Sequence, residues 1–190
     1  MVKRVSALSG EYLVGRLGVE GACGVTLKEI PDLSLIQIAA WPDTLSAVGD
    51  KAAHIIGADT APGPGRVVST SNGSILRIEP LKWWVIGAPA FELSSALSIN
   101  EGAVLDLSHS RAYLSISGPQ AALLLNRHLP LDLREASFPV GTVATTAFHH
   151  TGVTIWRSDQ GYELLMIRGF ALSLWQILIE SGAQFNAEIV

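Results

Sequence analysis

The sequence has 190 residues, enough for one domain or for two small halves packed together, and a formal net charge of −4. That charge gives no basic face for nucleic acid, and a single cysteine, Cys23, excludes an internal disulfide. The longest strongly apolar window, residues 170–179, falls well short of the ~20 residues that a membrane-spanning helix needs. Neither nucleic acid nor a membrane is therefore predicted as a partner.

The balance of charged and apolar residues favours a protein partner instead. Charged residues make up 16% of the chain, against about 25% in a typical soluble domain, and hydrophobic residues make up 48%. A chain of this size leaves much of its surface in water, so the surplus of apolar side chains exceeds what its own core needs. Because obligate interfaces resemble a core cut in half, the composition predicts a large interface with another protein. A well-packed monomer is the alternative.

The first half of the chain begins with residues 1–24, whose lack of pattern predicts an irregular N-terminal arm that wraps a partner, or simple disorder. Residues 33–40 form a predicted strand. Pro42 begins a helix with Leu45, Val48, Ala52 and Ile55 on one face, and Gly57 suits its C-terminal cap.

A hairpin follows, in which residues 66–70 and 74–78 flank Asn72-Gly73, a strong signal for a two-residue turn. The next predicted strand, residues 81–86, carries Trp83 and Trp84 on opposite faces. A short helix is expected from Pro89 to Leu97.

In the second half, strands are predicted at residues 104–107 and 111–117, separated by a polar elbow. Tyr113 and Ser115 alternate with Leu114 and Ile116, the period of a half-buried strand. Gly118-Pro119 then begins a helix that ends by Leu129. Strands at 142–148, 152–156 and 162–167 follow, the first two joined by a turn at His149-His150. The last helix is predicted to bury Phe170, Leu174, Ile177 and Leu178.

These elements occur twice in the same order. Pro42 and Pro119, each between a strand and a helix, are 77 positions apart, and Trp83 and Tyr162, each on the strand before a helix, are 79 positions apart. Two near-equal offsets indicate a duplication. The predicted fold is α+β: residues 25–190 form one globular domain of two pseudo-repeated halves, about 25–100 and 101–190. Each half has an antiparallel sheet with helices packed on one face.

The usual signatures of catalysis are missing from the sequence. The five histidines do not have the spacing of a zinc site, and one cysteine cannot supply a thiolate cluster. Neither a G-x-S-x-G elbow nor a G-x-G-x-x-G loop after a strand is present. We therefore predict no catalytic residue and no metal site on this chain.

Two groups of residues are candidates for a contact with a ligand or a partner. Asp106, Ser108, His109 and Arg111 meet at the polar elbow, where they could hold a zwitterionic amine or folate. The preferred interpretation is structural, because Asp and Ser side chains cap turns. Trp83 and Trp84 could stack on a pterin or flavin ring, but their preferred roles are one in the core and one at an interface with a partner.

The motifs around the elbow resemble a known superfamily. The stretch DLSHSRAYLSISGPQAALLL is similar to the D-x-S-H … S-G-P-x-A pattern of the aminomethyltransferase (glycine-cleavage T protein) superfamily. Within this superfamily, the gamma subunits of heterotetrameric sarcosine oxidases are the more similar group. The motifs that carry this likeness are, in chain order, LDLSHSR, SGP, LNRHLPLDLR and FPVG. The likeness extends over most of the chain beyond its first twenty residues, and it implies a pseudo-repeated fold of the folate-binding type.

The resemblance implies a non-catalytic gamma-type subunit, cytoplasmic, assembled with alpha, beta and delta subunits. The whole complex would oxidise sarcosine to glycine, passing the one-carbon unit to tetrahydrofolate and electrons to oxygen. Flavins, NAD, zinc and folate would bind to the partner subunits and none to this chain. Two alternatives stay open: a free-standing folate-binding protein of the superfamily, or the matching subunit of an N-methyl amino-acid dehydrogenase.

Overall fold

The structure, a computed structural model, describes residues 5–19, 21–88 and 95–190. The strands within these ranges are β1 (Gly15–Arg16), β2 (Thr26–Glu29), β3 (Leu35–Ala40), β4 (Val67–Thr70), β5 (Gly73–Glu79), β6 (Lys82–Ile86), β7 (Gly102–Asp106), β8 (Arg111–Ser117), β9 (Val143–Phe148), β10 (Thr151–Ser158), β11 (Gly161–Ile167) and β12 (Glu188–Ile189). The α-helices with described bounds are α1 (Leu45–Ile55), α2 (Ala121–Leu125) and α3 (Ala171–Gly182), and short 3-10 turns lie at Pro42–Thr44, Arg168–Phe170 and Ala183–Phe185. The helix predicted from Pro89 lies mostly outside the described residues.

The chain divides into two compact units. Among the described residues, the five-stranded unit contains those of Asp32–His109 and Gly141–Ala144, and the seven-stranded unit contains those of Met1–Pro31, Ser110–Val140 and Thr145–Val190. These boundaries differ from the predicted halves, about 25–100 and 101–190, because β2 belongs to the seven-stranded unit and β7 to the five-stranded unit.

The five-stranded sheet has the order β4-β5-β6-β3-β7, and its neighbouring strands are antiparallel. Helix α1 buries Val48 and Ala52, one turn apart, as the helical spacing predicts. These side chains join Ile36, Ile38 and Trp83 in one apolar core. Gly57 ends the helix with φ +72°, the left-handed conformation that glycine adopts at little cost.

The predicted hairpin is present, but its turn lies one residue earlier. Thr70 pairs with Gly73, so the two turn residues are Ser71 and Asn72. Gly73 has φ +153°, and a Cβ atom there would lie 2.1 Å from the carbonyl oxygen of Ile86. Strand β6 thus approaches Gly73 too closely for any side chain at this position. Gly73 is the first residue after the turn, where it pairs with Thr70.

The seven-stranded sheet has the order β1-β12-β2-β8-β11-β10-β9, with β12 and β2 parallel. In β8 the side chains of Ala112, Leu114 and Ile116 are buried, and the residues between them are half-buried, which confirms the predicted alternation. The antiparallel sheets and the class of fold are thus as predicted from the sequence.

The helices of the seven-stranded unit differ in detail from the prediction. Helix α2 ends at Leu125, within the predicted limit of Leu129, but it begins at Ala121, two residues after Pro119. Helix α3 buries residues at helical spacing, including Leu174, Trp175 and Leu178. Phe170, predicted to face inward, is exposed because it lies in the 3-10 turn before the helix, where the helical spacing does not apply.

Within residues 5–19 and 21–24, the predicted irregular N-terminal arm contains the short strand β1 and otherwise only turns and irregular backbone. Leu8 is fully buried, and β1 pairs with β12. The ring of Tyr12 stacks on Trp175 with centroids 5.3 Å apart, and its hydroxyl accepts a hydrogen bond from the backbone N–H of Glu29 at 2.8 Å. These contacts fix the segment to the seven-stranded unit itself.

Candidate functional site

The polar elbow after β7 is a capped turn. Asp106 Oδ1 accepts a hydrogen bond from the backbone N–H of Ser108 at 2.8 Å. Ser108 Oγ in turn accepts one from the N–H of Leu35 at 3.0 Å, which fastens the turn to the start of β3. His109 is exposed. Asp106 and Ser108 thus satisfy backbone donors, which supports the structural interpretation of these two residues.

The fourth elbow residue, Arg111, belongs to the other unit, since the chain passes from one unit to the next between His109 and Ser110. Its Nη1 donates to the carbonyl oxygen and to Oγ of Ser110, at 3.1 and 3.2 Å. Burial lowers the pKa of Arg111 from its ordinary value. The role of the four residues in contacting a ligand or a partner stays a prediction.

The expectation that one of the paired tryptophans faces outward is wrong. Trp83 is 1% exposed and Trp84 is 6% exposed. Trp83 belongs to the core against α1, and Trp84, on the opposite face of β6, donates from Nε1 to Gln37 Oε1 at 3.1 Å. Both faces of this strand are covered, so alternation along the strand does not bring either ring to the surface.

The seven-stranded unit contains a polar cluster that sequence reasoning missed. Its centre is Glu163 on β11, which is 9% exposed and pairs with Ser115 of β8 and Trp156 of β10. The Glu163 Oε1 atom accepts hydrogen bonds from Ser115 Oγ at 3.2 Å and Ser158 Oγ at 3.1 Å. The hydroxyl of Tyr113 also bonds to this carboxyl group.

The environment of the cluster disfavours negative charge. Burial raises the pKa of Glu163, and the hydrogen bonds from Tyr113, Ser158 and Ser115 oppose that effect. Burial also raises the pKa of Tyr113, and the neighbouring Glu163 carboxyl raises it further. The Tyr113 ring packs against Trp156 with centroids 5.5 Å apart. The cluster can therefore hold strands together or hydrogen-bond a polar group. Its signal in the sequence is one acidic residue inside the apolar run YELLMI.

An open groove of about 560 Å³ lies beside this cluster, lined by residues that include Arg157, Glu135 and Tyr162. The Arg157 side chain in the groove contacts three neighbouring residues. Arg157 donates to the carbonyl oxygen of Phe138 at 3.2 Å, lies 3.8 Å from Glu135, and covers the Tyr162 ring at 5.6 Å. Ser158, which also lines the groove, donates its hydroxyl proton to the Glu163 carboxyl group.

Within the described ranges, no group of three or more His, Cys, Asp or Glu side chains is arranged to hold a metal ion. In the same part of the chain, none of the helices has the length and apolar character needed to cross a membrane.

The sequence is similar to one family model and to several known proteins of one kind. Residues 81–190 match the family described as the GCVT N-terminal domain. The chain is 31% identical over 175 residues to the sarcosine oxidase subunit gamma of Corynebacterium sp. (strain U-96), covering 89% of this chain and 84% of that protein. It is 30% identical over 187 residues to the sarcosine oxidase subunit gamma of Arthrobacter sp, covering 95% of this chain and 91% of the relative.

The structure of this chain is also similar to solved structures of related proteins. A chain of the heterotetrameric sarcosine oxidase from Corynebacterium sp. U-96 matches with a TM-score of 0.81 and 27% identity, over 98% of both chains. The glycine cleavage system aminomethyltransferase T from Bartonella henselae matches with a TM-score of 0.65 and 18% identity, over 88% of this chain and 48% of that one. The second likeness shows a shared fold.

Proposed function

The chain belongs to the family of sarcosine oxidase gamma subunits, and from this premise we propose that it assembles with alpha, beta and delta subunits into a heterotetramer that oxidises sarcosine to glycine. The observation that carries the proposal is the full-length match: relatives that bear the name of this subunit correspond to the chain almost from end to end. A free-standing folate-binding protein is less well supported, because the chain spans about half of the aminomethyltransferase that it matches.

In this assembly the chain contributes structure, and the flavins, NAD, zinc and folate are bound by partner subunits. The side chains described above support this division of labour, since Asp106 and Ser108 cap a turn and Arg157 in the groove is held by Phe138 and Glu135. The complex would pass the one-carbon unit to tetrahydrofolate and electrons to oxygen, and it would be cytoplasmic.

Exposed apolar side chains of the five-stranded unit support an assembly role. Trp41 is 52% exposed and Ile99 is 84% exposed, and Trp41 Nε1 donates to the carbonyl oxygen of Ile99 at 3.2 Å. Leu105 on β7, an edge strand, is also exposed. Tryptophan is among the commonest residues whose loss weakens interfaces. The apolar composition predicts an interface with a partner. Trp41, Ile99 and Leu105 are exposed and can form it, whereas Trp83 and Trp84 are buried.

The test is affinity purification of this chain, tagged, from the cells that produce it, followed by an assay of oxygen consumption with sarcosine. We expect three further subunits and sarcosine-dependent activity. Recovery of the chain without partners, or a complex that is inactive with sarcosine and active with another N-methyl amino acid, would contradict the proposal.

The same purification tests the contact surface. Trp41→Ala is expected to weaken assembly by at least about 2 kcal/mol, the loss typical of a central interface residue. Asp59→Ala, at an exposed polar position of the same unit outside both candidate groups, is the control and should assemble normally. If both variants recovered the partners equally well, Trp41 would not be part of the interface.

A further inference from the structure

Two histidines that are 21 residues apart in the sequence meet in the seven-stranded unit. His128 follows α2, and His149 lies in the turn between β9 and β10. The Nδ1 atom of His128 is 3.2 Å from Nε2 of His149. On its other side, His128 Nε2 is 2.8 Å from Ser181 Oγ on α3. Three separate elements therefore converge on one imidazole ring.

Both rings are held in place by contacts besides this one. His128 stacks on Phe148 with centroids 4.9 Å apart and an interplanar angle of 11°. The backbone N–H of His149 donates to the carbonyl oxygen of His128 at 3.3 Å. His149 adopts φ +52°, an uncommon conformation for a residue other than glycine, which the hairpin imposes. The two facing nitrogens are thus positioned by the fold.

The two facing nitrogens can share one proton at most. If both carried a proton, two N–H groups would point at each other, so at least one nitrogen keeps its lone pair. Ser181 Oγ can accept the Nε2 proton of His128, which leaves Nδ1 as a lone pair facing His149. A metal-binding histidine usually donates a hydrogen bond from its other ring nitrogen to an outer acceptor, which holds the ring in place.

The separation of the nitrogens fits a metal ion as well as a proton. Two imidazole nitrogens, each about 2.0–2.1 Å from a tetrahedral ion, lie about 3.3 Å apart. The observed distance is 3.2 Å. The Arg127 charge opposes a dication, but its guanidinium group is held over the Phe185 ring at 4.7 Å and bonded to Gln184.

From this geometry we propose that His128 and His149 form a two-ligand site for a divalent transition-metal ion, with Ser181 as a positioning residue and water in the remaining coordination positions. Zn²⁺, Ni²⁺ and Cu²⁺ are the class of ion that imidazole ligands suit. The ion would join the end of α2 to the β9–β10 turn. It is additional to the zinc proposed for a partner subunit, and it was not predictable from spacing in the sequence.

The experiment uses the full chain with any purification tag removed, titrated with ZnCl₂, NiCl₂ or CuCl₂ alone. Saturable binding by calorimetry, a rise in Tm with each metal, and nitrogen hyperfine coupling in the EPR spectrum of the Cu²⁺ form are expected. His149→Asn should abolish all three, because Asn tolerates the same backbone conformation without supplying the imidazole. His128→Phe should do the same while keeping the ring stacked on Phe148. Ser181→Ala should weaken binding by about tenfold or more.

The matched control is His150→Asn, which removes the next exposed histidine of the same turn and should bind like the natural chain. Three results would overturn the proposal: no saturable binding by the natural chain, undiminished binding by His149→Asn, or an equal loss in His150→Asn. Each result is independent of whether the chain assembles into the proposed oxidase.

Discussion

The two units share one strand order and differ in what they bury. The order β4-β5-β6-β3-β7 of the five-stranded sheet corresponds to β9-β10-β11-β8-β2 in the seven-stranded sheet. Strand β2 precedes β3, and β7 precedes β8, so the first strand of each half pairs in the sheet formed by the other half. The repeated pattern predicted from the sequence thus corresponds to one strand order in both sheets, with the first strand of each half paired in the other sheet.

The cores of the units have diverged in polarity. The main core of the five-stranded unit consists of apolar side chains. The buried polar residues among those described, Thr154 and Glu163, both belong to the seven-stranded unit. A buried carboxyl group is costly unless it is hydrogen-bonded, and three hydroxyl groups serve Glu163. The same topology can therefore support either an apolar or a polar interior, and the polar one depends on specific side chains.

The largest effect is expected in the apolar core. Trp83→Ala should lower the free energy of unfolding by about 3–5 kcal/mol, because it opens a cavity under α1. Denaturant unfolding of the isolated chain measures this. Leu105→Ala, at an exposed position of the same unit, is the control and should change stability by less than about 0.5 kcal/mol. Similar losses in the two variants would show that the assigned core is wrong.

A backbone contact of the five-stranded sheet gives the next effect. Gly73→Ala should cost about 1–3 kcal/mol, because the new methyl group meets the Ile86 carbonyl oxygen and the backbone angle is unfavourable. Gly63→Ala is the matched control, since no atom lies within 4 Å of a Cβ atom there. The comparison is made by thermal unfolding, and a stable Gly73→Ala variant would contradict the described approach of β5 and β6.

The polar cluster of the seven-stranded unit is tested by two substitutions of one residue. Glu163→Ala leaves three hydroxyl groups without their acceptor and should cost about 1–3 kcal/mol. Glu163→Gln keeps an acceptor and removes the ionisable group, so its cost at neutral pH should be smaller. If the two variants lost equal stability, hydrogen bonding to Glu163 would not be what supports this core.

The pH dependence of stability follows from the same group. The folded chain raises the pKa of Glu163 above its ordinary value of 4.5, so the folded state binds this proton more tightly than the unfolded state. Stability from this group is therefore present below that ordinary value and is lost as the pH rises through the raised pKa. The free energy of unfolding, measured from pH 4 upward, should fall less in Glu163→Gln than in the natural chain. Parallel profiles would contradict the assignment.

The smallest effect is expected at the elbow. Ser108→Ala removes the acceptor for the Leu35 N–H and should cost about 1 kcal/mol. His109→Ala, at the neighbouring exposed position, should be nearly neutral. Thermal unfolding measures both variants. If His109→Ala lost more stability than Ser108→Ala, then His109 and not Ser108 would be the residue that stabilises the turn.

Local pattern predicted the strands well because alternation and turn residues are local properties. The bounds of β8 agree with the prediction, and the hairpin turn is displaced by a single residue. Exposure was predicted less well. Trp84 is buried because both faces of its strand are covered, and coverage depends on packing between distant segments.

The candidate site was harder to predict for the same reason. The elbow was recognised from adjacent residues, whereas Glu163 is joined to Tyr113 and Ser115 by strand pairing across 48 residues or more. His128 and His149 meet only when α2 and the β9–β10 turn are folded. Spacing rules detect ligands on one element and miss those that separate elements bring together.

The central claim, that this chain is the gamma-type subunit of a four-subunit oxidase, is tested most directly by native mass spectrometry of the complex purified through this chain. The account predicts a single assembly that contains one copy of this chain with one copy of each of three different partners, and that releases flavin from the partners on denaturation. A homo-oligomer of this chain, or flavin that remains with this chain after dissociation, would contradict it.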